Sequence, residues 1–225
     1  MPLTATVVLD ESCAHLQEAV ARFAAVRVFK RSTGFHCDSK AAATELHQLL
    51  VDENLHGRAV YVAPSFAGFT ALLHAGQYPG ALAAVLLLDP SHPRQGDEAI
   101  AILESAPPSS ERECLTLFFS GFGPAWVRSC REVAKLKYIG KTQLHVFAAG
   151  RFDLSTRLPQ NIQSRLLCSR HSLLREYCNL TSTAVFKIIE NTGHDIARLA
   201  PNVVLAEIHQ IAKGIEATAN LKSAF

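Results

Sequence analysis

Residues 59–73 read AVYVAPSFAGFTALL, from Ala59 to Leu73, directly after Gly57-Arg58. An apolar run of strand-forming residues, Ala59 to Val62, meets Pro64 and a single serine, Ser65. Small residues follow at once, and then a segment with the spacing of a helix. A strand that turns straight into a helix at a serine admits two readings. Ser65 caps the helix, because a serine hydroxyl accepts the N–H groups that a helix start leaves unbonded. Alternatively, Ser65 is a nucleophile presented on a strained strand-to-helix turn. Ala63 and Ala67 stand two residues to either side. Small side chains there are what a close approach of strand and helix requires.

Outward from this stretch, strand-like and helix-like segments alternate. Strands are expected at 5–10, 26–30, 58–63, 83–89, 142–150 and 183–190. Helices are expected over 15–25, 40–54, 66–77, 159–178 and 201–215. The segment AAVLLLD (83–89) is almost wholly apolar, as a strand covered on both faces of a parallel sheet should be. Such alternation predicts an α/β fold, a mostly parallel sheet of about six strands flanked by helices. It breaks between Ser91 and Gly140, where Pro93, Pro107, Pro108 and Pro124 punctuate helical pieces. Residues 91–140 are therefore expected to form a helical cap inserted into one domain spanning 1–225.

Composition narrows the classes. With 48% hydrophobic and 19% charged residues, the chain has the balance of a globular domain. Net charge is +2 without a polybasic run, so neither nucleic acid nor an anionic membrane is an expected partner. The N-terminus lacks the basic region and apolar core of a signal peptide, and a cytoplasmic protein with reduced cysteines is expected. Cys168 and His171 find no second ligand pair nearby, so no metal centre is expected. Oligomeric state is not legible.

In a parallel α/β sheet, ligand chemistry gathers at the carboxyl ends of strands. Ser65, Asp10, Asp89, Asp153 and His194 all fall at such ends. One serine, one histidine and several acids at one edge are the parts of a nucleophilic triad, in the chain order serine, acid, histidine. His92, within Asp89-Pro90-Ser91-His92-Pro93, reads as a cap or hinge residue instead.

Four motifs make the pattern specific: APSFAG (63–68), LLLDPSHPRQ (86–95), NTGHD (191–195) and LAP (199–201). Together they resemble the α/β-hydrolase superfamily, in which the nucleophile turn commonly reads GHSxGG. The resemblance covers the chain except for residues 96–140. It implies a serine hydrolase that cleaves an ester or related acyl bond of a small, mostly apolar substrate, without a cofactor. Ser65 would attack, His194 would take its proton, and an acid would orient His194. The usual placement in that superfamily gives Asp153, and a less common one gives Asp89. The oxyanion would be held by the N–H of Phe66 and by that of Ser12, in the loop after the first strand. That loop reads Asp10-Glu11-Ser12-Cys13, where the superfamily carries a glycine-containing pair. The departure supports a second reading, a weak or inactive hydrolase-fold protein that binds a small ligand or a protein partner. The cap would contribute an apolar pocket, with Phe119 and Phe122 facing the substrate.

Overall fold

The apolar runs form strands buried on both faces. In the computed structural model, which describes residues 5–32, 38–121, 123–155 and 157–223, six strands make one parallel sheet. They are β1 (Thr6–Asp10), β2 (Ala25–Phe29), β3 (Ala59–Pro64), β4 (Leu82–Leu88), β5 (Gln143–Ala149) and β6 (Ala184–Ile189), in the order β2-β1-β3-β4-β5-β6. The edge strands β2 and β6 are partly exposed, whereas β1 and β3 are buried almost throughout. Alternate residues of the inner strands feed two opposite cores. Val8, Tyr61, Val85 and Leu87 face one side; Val7, Val62, Leu86 and Leu88 face the other. An all-apolar strand is thus two half-patterns of period two, each satisfied.

Helices α1 (Gln17–Val20), α2 (Ser39–Asp52), α3 (Ala67–Gln77), α4 (Gln95–Glu104), α5 (Ser110–Ser120), α6 (Pro124–Ala134), α7 (Gln160–Glu176), α8 (Ile196–Leu199) and α9 (Pro201–Ser223) connect and cover the strands. Leu46 and Leu50 of α2, Leu72 of α3 and Val133 of α6 join the first core. Val204, Ile208 and Ile211 of α9 close the second. Among the described residues no helix is long and apolar enough to cross a membrane.

Two helices differ from the sequence expectation. The helix expected over 15–25 is a 3-10 turn (Glu11–Leu16) followed by the short α1, because Asp10 caps the turn through the Ser12 N–H. The last helix runs on to Ser223, well past Ile215. The helices of the 91–140 segment pack in two places. Leu103 of α4 and Leu115 and Phe119 of α5 form a separate apolar cluster with Ile162 and Leu166 of α7. Helix α6 packs instead on α2 and α3, with Trp126 and Val133 against the first core.

His74 of α3 is fully buried, and neither ring nitrogen has a hydrogen-bond partner among the described residues. Burial, and then the neighbouring His47 and His56, push its pKa down to about 3. A histidine depressed in the folded state takes up its proton in the unfolded state first. Stability is therefore full above about pH 6.5 and falls as pH drops from there towards 3, by up to about 1.4 kcal/mol per pH unit. Urea melts across that range should show this slope, and His74→Leu should flatten it. Parallel slopes for the two proteins would contradict the account.

Candidate active site

The chain reverses direction across the sheet between β1 and β3: β2 lies beyond β1 on one side, and β4 follows β3 on the other. Crevices form outside the carboxyl ends of strands at such a reversal. Ser65 sits there, at the end of β3, with φ of 49°. A left-handed backbone at a non-glycine residue is strained and persists only where its surroundings enforce it. They do so here. The Ser65 N–H donates to the Leu88 carbonyl (3.0 Å), and the Ser65 carbonyl accepts from Gly68 (3.1 Å) and Ser91 (3.0 Å). At Gly68 a Cβ would stand 2.8 Å from that of Pro90, so α3 and the β4 exit meet at a distance only glycine allows. The helix cap is Phe66, without a side-chain bond. Ser65 Oγ turns instead to His194 Nε2, 3.0 Å away.

His194 stands after β6, in the loop that leads into α8. Its N–H donates to Asp153 Oδ2 (2.9 Å), and its carbonyl accepts from the Ile196 N–H (3.0 Å). Gly193 leaves room for this arrangement, since a Cβ there would fall 1.8 Å from Asp153 Oδ2. The ring nitrogen Nδ1 points to Asp89 Oδ2, 2.6 Å away. Asp89, not Asp153, is the carboxylate at the ring. The physical reason is the path of the chain after β4. The Asp89 N–H continues the ladder by donating to the Phe147 carbonyl (2.7 Å), and the backbone then turns left-handed, with φ of 43°. Asp153 lies in the irregular segment past β5 and supports the histidine backbone.

Asp89 is buried, and its environment is built for a charge. Oδ1 accepts the Ala149 N–H (3.1 Å) and Arg170 Nε (3.0 Å); Arg170 Nη2 lies 2.8 Å from Oδ2. Arg170 also donates to the Asp89 carbonyl (2.9 Å), which ties α7 to the β4 exit. Burial alone would push the carboxyl up. The Arg170 guanidinium, and then the hydrogen bond from His194, outweigh it and hold Asp89 well below the usual carboxylate range. Sequence reasoning missed Arg170, because nothing distinguishes it along α7 from Arg165 or Arg175.

The oxyanion expectation divides. Phe66 lines the cleft beside Ser65, and its N–H opens α3, where unbonded N–H groups and the helix dipole favour negative charge. The Ser12 N–H does not serve that purpose: it donates to Asp10 Oδ1 (3.2 Å), as does the Ser12 hydroxyl (2.6 Å). Asp10 Oδ2 accepts from Tyr61 Oη (3.1 Å) and lies 3.5 Å from the buried Arg31. The side chain of Asp10 thus fills with its own network the place where the loop would offer amides.

Above Ser65 and His194 lies a cleft of about 810 Å³, within the size range of small-molecule sites. Phe66 and Trp126 stack along one wall, ring centres 5.4 Å apart. Phe119 and Leu166 belong to another, and Phe118 and Leu154 stand exposed at the rim. Phe119 therefore lines the cleft as well as packing the α4–α5 cluster. Phe122 lies outside the described residues.

No protein-family model and no curated protein matches the chain. Solved structures do match. An α/β hydrolase from the metagenome of lagoon sediments at Mar Chica, Morocco, is 12% identical, with a TM-score of 0.59 over 94% of this chain and 91% of that one. A thermophilic esterase from Thermogutta terrifontis, malate bound, is 15% identical, with a TM-score of 0.56 over 94% and 90%. E-2-(Acetamidomethylene)succinate hydrolase is 11% identical, with a TM-score of 0.56 over 93% and 91%. The chain has the α/β-hydrolase fold.

Proposed function

We propose that the protein is a serine hydrolase that cleaves an ester or related acyl bond of a small, mostly apolar substrate. One observation carries the reading: a strained Ser65 whose Oγ lies 3.0 Å from His194 Nε2, with Nδ1 of the same ring 2.6 Å from the buried Asp89. Asp89 stays ionised and holds the proton on Nδ1, which leaves Nε2 free to take the proton of Ser65 as Oγ attacks the acyl carbon. The resulting imidazolium is stabilised by Asp89 and returns the proton to the leaving group. Water then repeats the sequence on the acyl-enzyme, and Ser65 is restored. The negative charge on the tetrahedral intermediate falls to the Phe66 N–H and the start of α3.

The cleft supports the substrate class. Its walls bring Phe66, Trp126, Phe119 and Leu166 near the nucleophile, so an apolar acyl or aryl group loses little by leaving water there. A p-nitrophenyl ester series tests this. We expect kcat/KM to rise from acetate to medium chain lengths, and Phe119→Ala to flatten the rise. A flat profile in the parent protein, unmoved by the substitution, would take this wall out of the substrate site.

A second reading, a ligand-binding protein with little turnover, is favoured by the Asp10 network. With the Ser12 amide engaged, one oxyanion donor is lost, and such a loss lowers kcat by about 10²–10³. Tight binding of ligands in the cleft with slow acylation of Ser65 would favour it, because both half-reactions pass through the oxyanion.

A further inference from the structure

Most polar side chains of the cleft are committed to one another, and the one charged group that is not describes a ligand. Asp89 takes Arg170, His194 and the Ala149 N–H, and Asp153 takes the His194 N–H on Oδ2, with Oδ1 left open among the described residues. Gln95 Oε1 accepts from the His92 N–H (2.9 Å) and from Arg170 Nη1 (3.3 Å). Two donors thus fix the orientation of that amide. Its NH₂ group has no partner among the described residues and belongs to a side chain that lines the cleft.

Three arginines line the same cleft. Arg170 is committed to Asp89, and Arg128 reaches Asp38 (3.1 Å). Arg151 differs. Its backbone is anchored, the N–H donating to the Thr192 carbonyl (3.0 Å), and it follows directly on β5 at the catalytic edge of the sheet. Its guanidinium makes no hydrogen bond or ion pair with the described residues, Asp153 included. Of the five charged side chains that line the cleft, Arg151 is thus the one without a side-chain partner among the described residues. The Gln95 N–H₂ donor and one oxygen of Asp153 are open in the same, largely apolar surround.

We propose that Arg151 is an anion anchor, and that the substrate is an acyl compound with an apolar body and a carboxylate away from the bond that breaks. The inference rests on the cleft being the substrate site of the proposed hydrolase, and it narrows the class from apolar esters to acidic ones. A guanidinium suits this task because its planar fork meets a carboxylate with two parallel hydrogen bonds and is weakly hydrated. At the rim of an apolar cleft such a pair is less screened than on open surface. It also gives register, since one fixed end sets which acyl carbon reaches Ser65.

The test separates binding from turnover. Ser65→Ala protein is titrated calorimetrically at low salt with 4-phenylbutyrate and with 4-phenylbutyramide, which share shape and differ in charge. The acid should bind about tenfold more tightly. Arg151→Gln in the same background should erase that preference, Arg151→Lys should keep part of it, and raising salt to about 0.5 M should narrow it. In parallel, the ratio of kcat/KM for the p-nitrophenyl monoester of glutaric acid to that for p-nitrophenyl butyrate should fall about tenfold in Arg151→Gln. Equal binding of acid and amide, no binding of either, or a preference that survives Arg151→Gln would overturn the proposal. Failure of both esters to react, with the calorimetric preference intact, would instead count against the hydrolase reading alone.

Discussion

Ser65→Gly should stabilise the fold relative to Ser65→Ala while both abolish acyl transfer. Each substitution removes the hydroxyl and its bond to His194, so the comparison isolates the backbone. At φ of 49° an alanine Cβ meets the penalty of the left-handed region, and glycine does not. The difference should be about 1 kcal/mol, a rise of about 2–4 °C in the melting temperature for a chain of this length. The rate effect is far larger. Without the nucleophile, only binding and the Phe66 N–H remain, and kcat should fall by about 10⁴-fold or more. A strained serine that can be relaxed only by losing activity is what a site held ready for attack predicts. Equal melting temperatures for the two variants would mean that the turn carries no strain.

Asp89→Asn should reduce kcat by about 10⁴-fold, whereas Asp153→Asn should reduce it by no more than about tenfold. Arg170 and the Ala149 N–H both donate to the Asp89 side chain, so they hold the amide oxygen of an asparagine on their side. The amide NH₂ is then turned to His194 Nδ1. That forces the ring proton onto Nε2, where it cannot accept from Ser65. At Asp153 an asparagine keeps an oxygen for the His194 N–H and leaves the ring tautomer untouched. Both effects belong in kcat, measured where melts on the same samples show each variant folded. The melts should also show Asp89→Asn less stable than the parent, because it removes the buried charge that faces Arg170. A larger loss at Asp153 than at Asp89 would reverse the assignment of the acid.

The sheet was legible because burial on two faces leaves long apolar runs, and turn residues separate them. LAAVLLL could be little else once helices flanked it. Ser65 and His194 were legible for a related reason. Small residues around a strand-to-helix turn, and a Gly-His after the last strand, are local consequences of close packing. The acid was not. Asp89 and Asp153 both follow strands, and an aspartate before Pro90 has the signature of a turn residue. What separates them is a left-handed φ at Asp89 and the grip of Arg170, which arrives from α7, 81 positions along the chain. Ser12 failed for the opposite reason. Its place in the loop suggests an open amide, whereas the side chain of Asp10, two residues earlier, takes that amide.

The most direct test of the central claim is labelling of the folded protein with a fluorophosphonate, followed by mass-spectrometric mapping of the modified peptide. The account predicts one adduct per chain on Ser65, abolished by Ser65→Ala and strongly slowed by Asp89→Asn. An adduct on any other serine, or none on protein whose cooperative melt shows it to be folded, would contradict it.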